Sequence, residues 1–193
     1  MIYGIFGGSF NPPHVAHYIA ARDVFEQTNV DKIIVIPSSI SPLKDNESLP
    51  DPIHRFEMCK KTFTDVIFSV SNIESKHAGK VTYTINTIRE LANSHAGNKL
   101  KLIIGADQYN QFRKWHEYKQ ILELAKLVVM NRGGVKMHPR KSSEIIPADF
   151  VKVTNIELSS TQIRQRIKER KSVRYLVSPQ VENYINKNNL YRR

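Results

Sequence analysis

Apolar residues fill positions 2–6 and end at a glycine, which reads as a short buried strand, and residues 15–28 then carry apolar positions at helical spacing. A second strand is signalled by Lys32-Ile33-Ile34-Val35-Ile36 and stopped by Pro37, and a polar, proline-containing loop follows to about residue 51. Helices are predicted at 52–62 and 84–94, with a weak strand near 66–70 between them. Leu100 to Ile104, closed by Gly105, is the strongest later strand. Residues 117–125 read as a helix, Leu127 to Met130 as a strand, and helices near 160–169 and 179–188 finish the chain. Alternating strands and helices with β-branched runs predict an α/β fold, a mostly parallel sheet covered on both faces. Ligands bind such sheets beyond the carboxyl ends of the strands, so the loops 7–14, 37–44 and 105–116 are expected to converge on one cleft. The stretch 131–148, rich in Gly, Lys, Pro and Ser, is expected to be a mobile or variable loop.

Composition narrows the class without naming a function. At 193 residues, one domain spanning 1–193 is expected, with a helical C-terminal part over about 157–193. With 40% hydrophobic and 24% charged residues the chain is expected to be globular, and no apolar run reaches the roughly 18 residues a membrane span needs. The run from Met1 straight into the first strand gives no expectation of a basic leader, and a single cysteine, Cys59, fits a reducing cytoplasm and packing rather than nucleophilic chemistry. The net charge of +11 is uneven: residues 132–193 hold fourteen Lys/Arg against five Asp/Glu. Such a field can steer a polyanion such as ATP, bind nucleic acid, or be a solvated face.

Three clusters can carry chemistry. Gly7 and Gly8, directly after a strand, allow a tight turn and close approach of a ligand, and the helix behind them offers unpaired N–H groups to phosphate. A plain strand-to-helix turn explains the same glycines. His14 and His17 lie at i and i+3 on one side of that helix, where they can donate to phosphate oxygens, cap and pack, or be two metal ligands lacking a third. In Ile156 to Arg164, Ser159 or Ser160 can cap a helix whose first turn carries Thr161 and Arg164, the latter offering a charged fork to phosphate. A capped helix with a solvated arginine is the alternative. In Gly105-Ala106-Asp107, an Asp at a strand's carboxyl end can accept from ribose hydroxyls, and Trp115 can stack on a planar ring or simply pack. Lys44, on the second loop, can neutralise phosphate or be solvated.

Gly7-Gly8-Ser9-Phe10-Asn11-Pro12-Pro13-His14-Val15-Ala16-His17 resembles the first signature of the nucleotidyltransferase superfamily, and Ser159-Ser160-Thr161-x-Ile163-Arg164 resembles its second. Between them, Thr82 to Thr87, Ile103 to Asp107 with Phe112 and Trp115, and Leu127-Val128-Val129 followed by Arg132 are similar to bacterial nicotinate-nucleotide adenylyltransferases, as is the ending from Arg174 to Tyr191. The resemblance implies a Rossmann-like doubly wound parallel sheet with C-terminal helices, and transfer of AMP from ATP to nicotinate mononucleotide in NAD biosynthesis. It also implies that Gly8, Ser9 and Phe10, with His14 and His17, hold the ATP phosphates. Gly105 and Asp107 would contact ribose, and Ser160, Thr161 and Arg164 would close on the triphosphate. Thr84, Trp115 and His116, with Lys44, would form the acceptor side. Mg²⁺ would be carried on ATP, with no dedicated metal site and no nucleic-acid or membrane partner, and homo-oligomer formation stays open. Asn11 stands where Asp is common, Ala16 where Gly is usual, Leu43 at a frequent His position and His116 where Tyr is familiar.

Overall fold

The computed structural model describes residues 1–39, 50–77, 82–131 and 146–192. Six parallel strands, β1 (Ile2–Gly8), β2 (Lys32–Pro37), β3 (Phe68–Val70), β4 (Lys99–Gly105), β5 (Ala125–Asn131) and β6 (Ala148–Lys152), form one sheet in the order β3-β2-β1-β4-β5-β6. This is the doubly wound order that the resemblance implies, and it puts the topological switch point between β1 and β4.

The side-chain period of two, with both faces of the sheet covered, explains why the central strands carry apolar residues at consecutive positions. Ile5, Ile34, Ile36, Leu102, Ile104, Leu127 and Val129 face one layer, built by α3 (Thr84–Ser94) and α5 (Tyr118–Leu124). Their neighbours Phe6, Ile33, Val35, Ile103, Val128 and Met130 face the other, built by α1 (Val15–Gln27) and α2 (Pro52–Thr62). The C-terminal helices α6 (Ser160–Lys168) and α7 (Pro179–Lys187) form a third cluster: Ile163, Val181 and Ile185 pack with Met58 from α2. Local chemistry sets the helix starts. Asp51 accepts from the Ile53 N–H at 2.9 Å with Pro52 in the first turn, and Ser178 caps α7 ahead of Pro179.

Two expectations need correction. A strand not expected from the sequence, β6, begins at the end of the 131–148 stretch and pairs with β5; residues 132–145 of the expected loop lie outside the described residues. The sequence Ala-Asp-Phe-Val-Lys hides this strand because an edge strand needs few buried positions, and Phe150 is 48% exposed. The segment expected as a loop at 105–116 folds into a short helix α4 (Ala106–Asn110) and a single 3₁₀ turn over Phe112–Lys114, both too short to show a period.

The edge strand is anchored electrostatically. Lys101 in β4, 8% exposed, donates to Asn29 Oδ1 at 2.7 Å and to Asp149 Oδ2 at 2.9 Å, while Lys126 meets Asp149 Oδ1 at 2.6 Å. The hydrogen bond from Lys126, reinforced by Lys101, holds the Asp149 carboxyl below its ordinary pKa. A group depressed in the folded state stabilises above its unfolded pKa, about 3.9 for Asp, and the contribution is lost as pH falls through the folded value. Asp149→Ala should therefore cost about 1–2 kcal/mol near neutral pH, less than a fully buried pair because the carboxylate is partly solvated. Urea denaturation at pH 7 and again below pH 3 checks this, the difference from the native sequence shrinking in acid. Cys59 is buried among the α1 and α2 side chains, and burial pushes its thiol well above the ordinary range. Ellman's reagent should label it only once the protein is unfolded.

Candidate functional site

The carboxyl ends of β1, β2 and β4 open onto a cleft of about 470 Å³. All three expected segments reach it: Gly7, Gly8 and Ser9 from the first, Ser38 from the second, and Asp107, Trp115 and His116 from the third. Residues 40–44 of the second, including Lys44, lie outside the described residues. Thr82, Tyr83 and Thr84 line the opposite wall, where α3 begins. An eleven-residue helix thus begins at the cavity, with no side-chain cap from Tyr83.

The candidate residues separate into two groups. Gly8, Ser9, Asp107, Thr84, Trp115 and His116 line the cleft. Phe10, His14, His17, Ser160, Thr161 and Arg164 instead surround the loop that carries Ser9 into α1, and Gly105 sits at the mouth of β4, its N–H donating to Gln108 Oε1 at 3.1 Å. A Cβ at Gly105 would lie 2.5 Å from Asp107 Oδ1, so only glycine leaves that carboxylate where it is.

The first loop bends differently from the turn its glycines suggest. Gly7 and Gly8 continue β1, and the left-handed residue is Phe10, at φ 44°. Its ring is buried edge-to-face against Phe6, Phe63 and His17, and that packing holds the strained turn. The ring also lies where a Cβ on Gly8 would come within 3.2 Å. Beyond the turn His14 caps α1 and is 2% exposed. Its ring lies 3.7 Å from that of His17, centroid to centroid and 30° from parallel, so the i, i+3 pair shares one side as its spacing predicts. The His14 backbone N–H donates to His17 Nδ1 at 3.3 Å, which places the proton of a neutral His17 ring on Nε2.

The second motif grips this loop directly. Ser159 is the cap: its Oγ accepts from the Gln162 N–H at 3.2 Å and its own N–H donates to Gln162 Oε1 at 2.8 Å. Ser160 is thereby released to donate to the Pro12 carbonyl at 2.8 Å. Arg164 donates to the Asn11 carbonyl at 2.9 Å and to Thr161 Oγ1 at 3.2 Å.

Two residues of the site were not singled out from the sequence. Arg55, 1% exposed, donates to the carbonyls of Ser9 at 3.0 Å, Ser39 at 3.1 Å and Pro50 at 3.3 Å, and to that of Ser38. Its signal was present: Arg55, Met58, Cys59 and Thr62 share the buried face of α2, and an arginine in that row is out of place unless it holds something. Burial pushes the guanidinium below its ordinary pKa, opposed by Tyr191, Cys59, Glu74 and Asp51. Glu74 accepts from the Ser39 N–H at 3.1 Å and from the hydroxyls of Thr82 and Thr87, each at 2.8 Å, binding the second loop to the start of α3. It lies in a short irregular segment with no periodicity to mark it.

On the third wall Trp115 is half-buried, 5.1 Å from the Phe112 ring, with one part in the core and another lining the cleft. His116 stacks with Tyr83 at 4.4 Å and pairs with Glu117 at 3.0 Å. Glu117 is held below the ordinary carboxylate pKa, first by its hydrogen bond from Arg89. Among the described residues no three His, Cys, Asp or Glu side chains converge as metal ligands.

Solved structures share this architecture over nearly their whole length. A Vibrio parahaemolyticus protein provisionally named a nicotinate-nucleotide adenylyltransferase is 18% identical with a TM-score of 0.71, covering 100% of this chain and 96% of its own. Plasmodium falciparum nicotinic acid mononucleotide adenylyltransferase complexed with APC is 21% identical with a TM-score of 0.76, over 98% and 96% of the two chains. The same enzyme complexed with NaAD is 19% identical with a TM-score of 0.78, over 98% and 97%. At these identities the likeness establishes the fold. The Cytidylyltransferase-like family profile matches residues 5–166, from the middle of β1 into α6 and so across both motifs, and this chain belongs to that family.

Proposed function

We propose that this protein transfers AMP from ATP to nicotinate mononucleotide, releasing pyrophosphate and giving nicotinate adenine dinucleotide. The observation that carries the reading is the sharing of one cleft by three features: the β1–α1 loop, the half-buried indole of Trp115 and the N-terminus of α3. The first suits a phosphate chain, the second a flat ring, and the third a carboxylate on that ring.

In this scheme the 5′-phosphate of the acceptor attacks the α-phosphorus of ATP, the new P–O bond forms as the bond to pyrophosphate breaks, and no covalent enzyme intermediate is needed. The nucleophile is already an anion. The protein therefore has two tasks: to align the two phosphates and to neutralise the charge that shifts onto pyrophosphate. The main chain at Gly8 to Phe10, with His14 and His17, serves the ATP phosphates, with Thr161 and Arg164 at the far edge of the loop. Asp107 accepts from ribose at the end of β4. Trp115 stacks on the pyridine ring, Thr84 and its neighbours receive the carboxylate, and His116 borders the acceptor phosphate. The main chain of Gly8 and Ser9 at the cleft supplies donors for phosphate oxygens, which suits a Mg²⁺ ion arriving on the nucleotide. That ion would add positive charge to the phosphate chain. A cytoplasmic setting, where ATP is abundant and thiols stay reduced, suits this chemistry.

Pyrophosphate release with ATP and Mg²⁺ should be fastest with nicotinate mononucleotide among a panel that includes nicotinamide mononucleotide and phosphopantetheine. Equal rates with the amide would refute the nicotinate assignment. His14→Ala should lower kcat by roughly 100-fold or more, the scale of losing one preorganised donor. Undiminished turnover in a variant with a native circular dichroism spectrum would remove His14 from the mechanism. Trp115→Ala should raise KM for the acceptor by about 10-fold while leaving KM for ATP nearly unchanged, if stacking contributes about 1–1.5 kcal/mol.

A further inference from the structure

Arg55 occupies a place where an apolar side chain would cost less. A buried guanidinium is expensive to desolvate, and among the described residues no carboxylate pairs with it. Each hydrogen bond it makes goes to a main-chain carbonyl, and those carbonyls belong to Ser9 on the first loop and to Ser38, Ser39 and Pro50 on the second. The two loops leave adjacent parallel strands, joined at their ends by the Ser38 N–H donating to Gly8 O at 2.8 Å. Past that bond, Arg55 fixes their separation.

The connection continues to the opposite wall. The Ser39 carbonyl accepts from Arg55 at 3.1 Å, its N–H donates to Glu74 at 3.1 Å, and Glu74 in turn holds Thr82 and Thr87 at 2.8 Å. A continuous hydrogen-bonded path thus runs from Ser9 beneath the cleft to the start of α3. A transfer between two bound phosphates depends on their relative placement to within a fraction of an ångström. We propose that Arg55 is a positioning residue that aligns the nucleotide side of the cleft with the acceptor side, acting through the main chain of Ser9 and Ser39, with Glu74 as its counterpart at α3. This inference rests on the adenylyl-transfer reading. Lysine cannot replace Arg55 in this role, because one ammonium lacks the planar fork that reaches both loops at once.

The test is steady-state kinetics on the intact protein carrying Arg55→Lys, Glu74→Gln and both, with ATP, Mg²⁺ and the best acceptor of the panel. Arg55→Lys should lower kcat by about 10- to 100-fold while each KM stays within about threefold, since alignment rather than contact is lost. Glu74→Gln should act in the same direction, and the double variant should be no slower than the slower single one by more than about twofold, because both act through the Ser39 peptide. In Arg55→Ala, millimolar guanidinium should restore part of the turnover, which a purely structural loss would not allow. A folded Arg55→Lys with native kcat, a defect confined to KM, or single effects that multiply in the double variant would each overturn the role. Where Arg55→Lys does not fold, the kcat of Glu74→Gln decides, and a native value overturns it. Native protein that is inactive with every acceptor removes the adenylyl-transfer reading and this role with it, whereas active native protein with unaffected variants removes only the role of Arg55.

Discussion

A loop that offers its N–H groups to an anion must dispose of its carbonyls elsewhere, because each peptide carries both and neither can be buried unpaired. Ser9, Asn11 and Pro12 meet this condition with donors from two helices distant in sequence. Arg55 of α2 takes Ser9, Arg164 of α6 takes Asn11, and Ser160 at the start of α6 takes Pro12. The rest of the molecule follows from placing those donors. α2 must carry a cation on its buried face, and α6 must return across a gap of about 150 residues to meet the first loop. The third hydrophobic cluster, which joins α6 and α7 to Met58 of α2, holds the two sources of donors together. Phe10 completes the arrangement from within the core, trading a left-handed backbone for a ring packed among three others.

Much of the fold was legible because its signals are periodic. The runs at β2, β4 and β5 are apolar at consecutive positions because each face of the sheet is covered, and α2, α6 and α7 announce themselves with Asp51-Pro52, Ser159 and Ser178-Pro179. What escaped has little periodicity to show. β6 exposes Phe150 and spends Asp149 on two lysines, so its five residues give no strand signal. α4 and the turn after it complete too few turns to repeat.

The site was legible where function shapes a motif and illegible where it acts through the main chain. Gly8, Ser9, Thr84, Asp107, Trp115 and His116 line one cleft as their motifs suggest. Ser160 and Arg164 touch protein carbonyls instead, a relation that depends on partners 148 and 153 residues away and that no local spacing encodes. Arg55 and Glu74 bond the peptides of Ser9, Ser38 and Ser39, and a peptide group has no identity in the sequence. The glycine pair invites a turn that Phe10 in fact makes, since tertiary packing can sustain a strained residue where local preference would choose glycine.

The span between the first loop and α6 has a consequence for how the protein comes into being. Ribosomes add roughly 5–20 residues per second, so the chain from Pro12 to Ser160 takes on the order of ten to thirty seconds to appear. Throughout that interval the early strands can begin to associate, but the Asn11 and Pro12 carbonyls still lack their donors. The loop between β1 and α1 therefore acquires its final shape only after residues 160–164 have emerged.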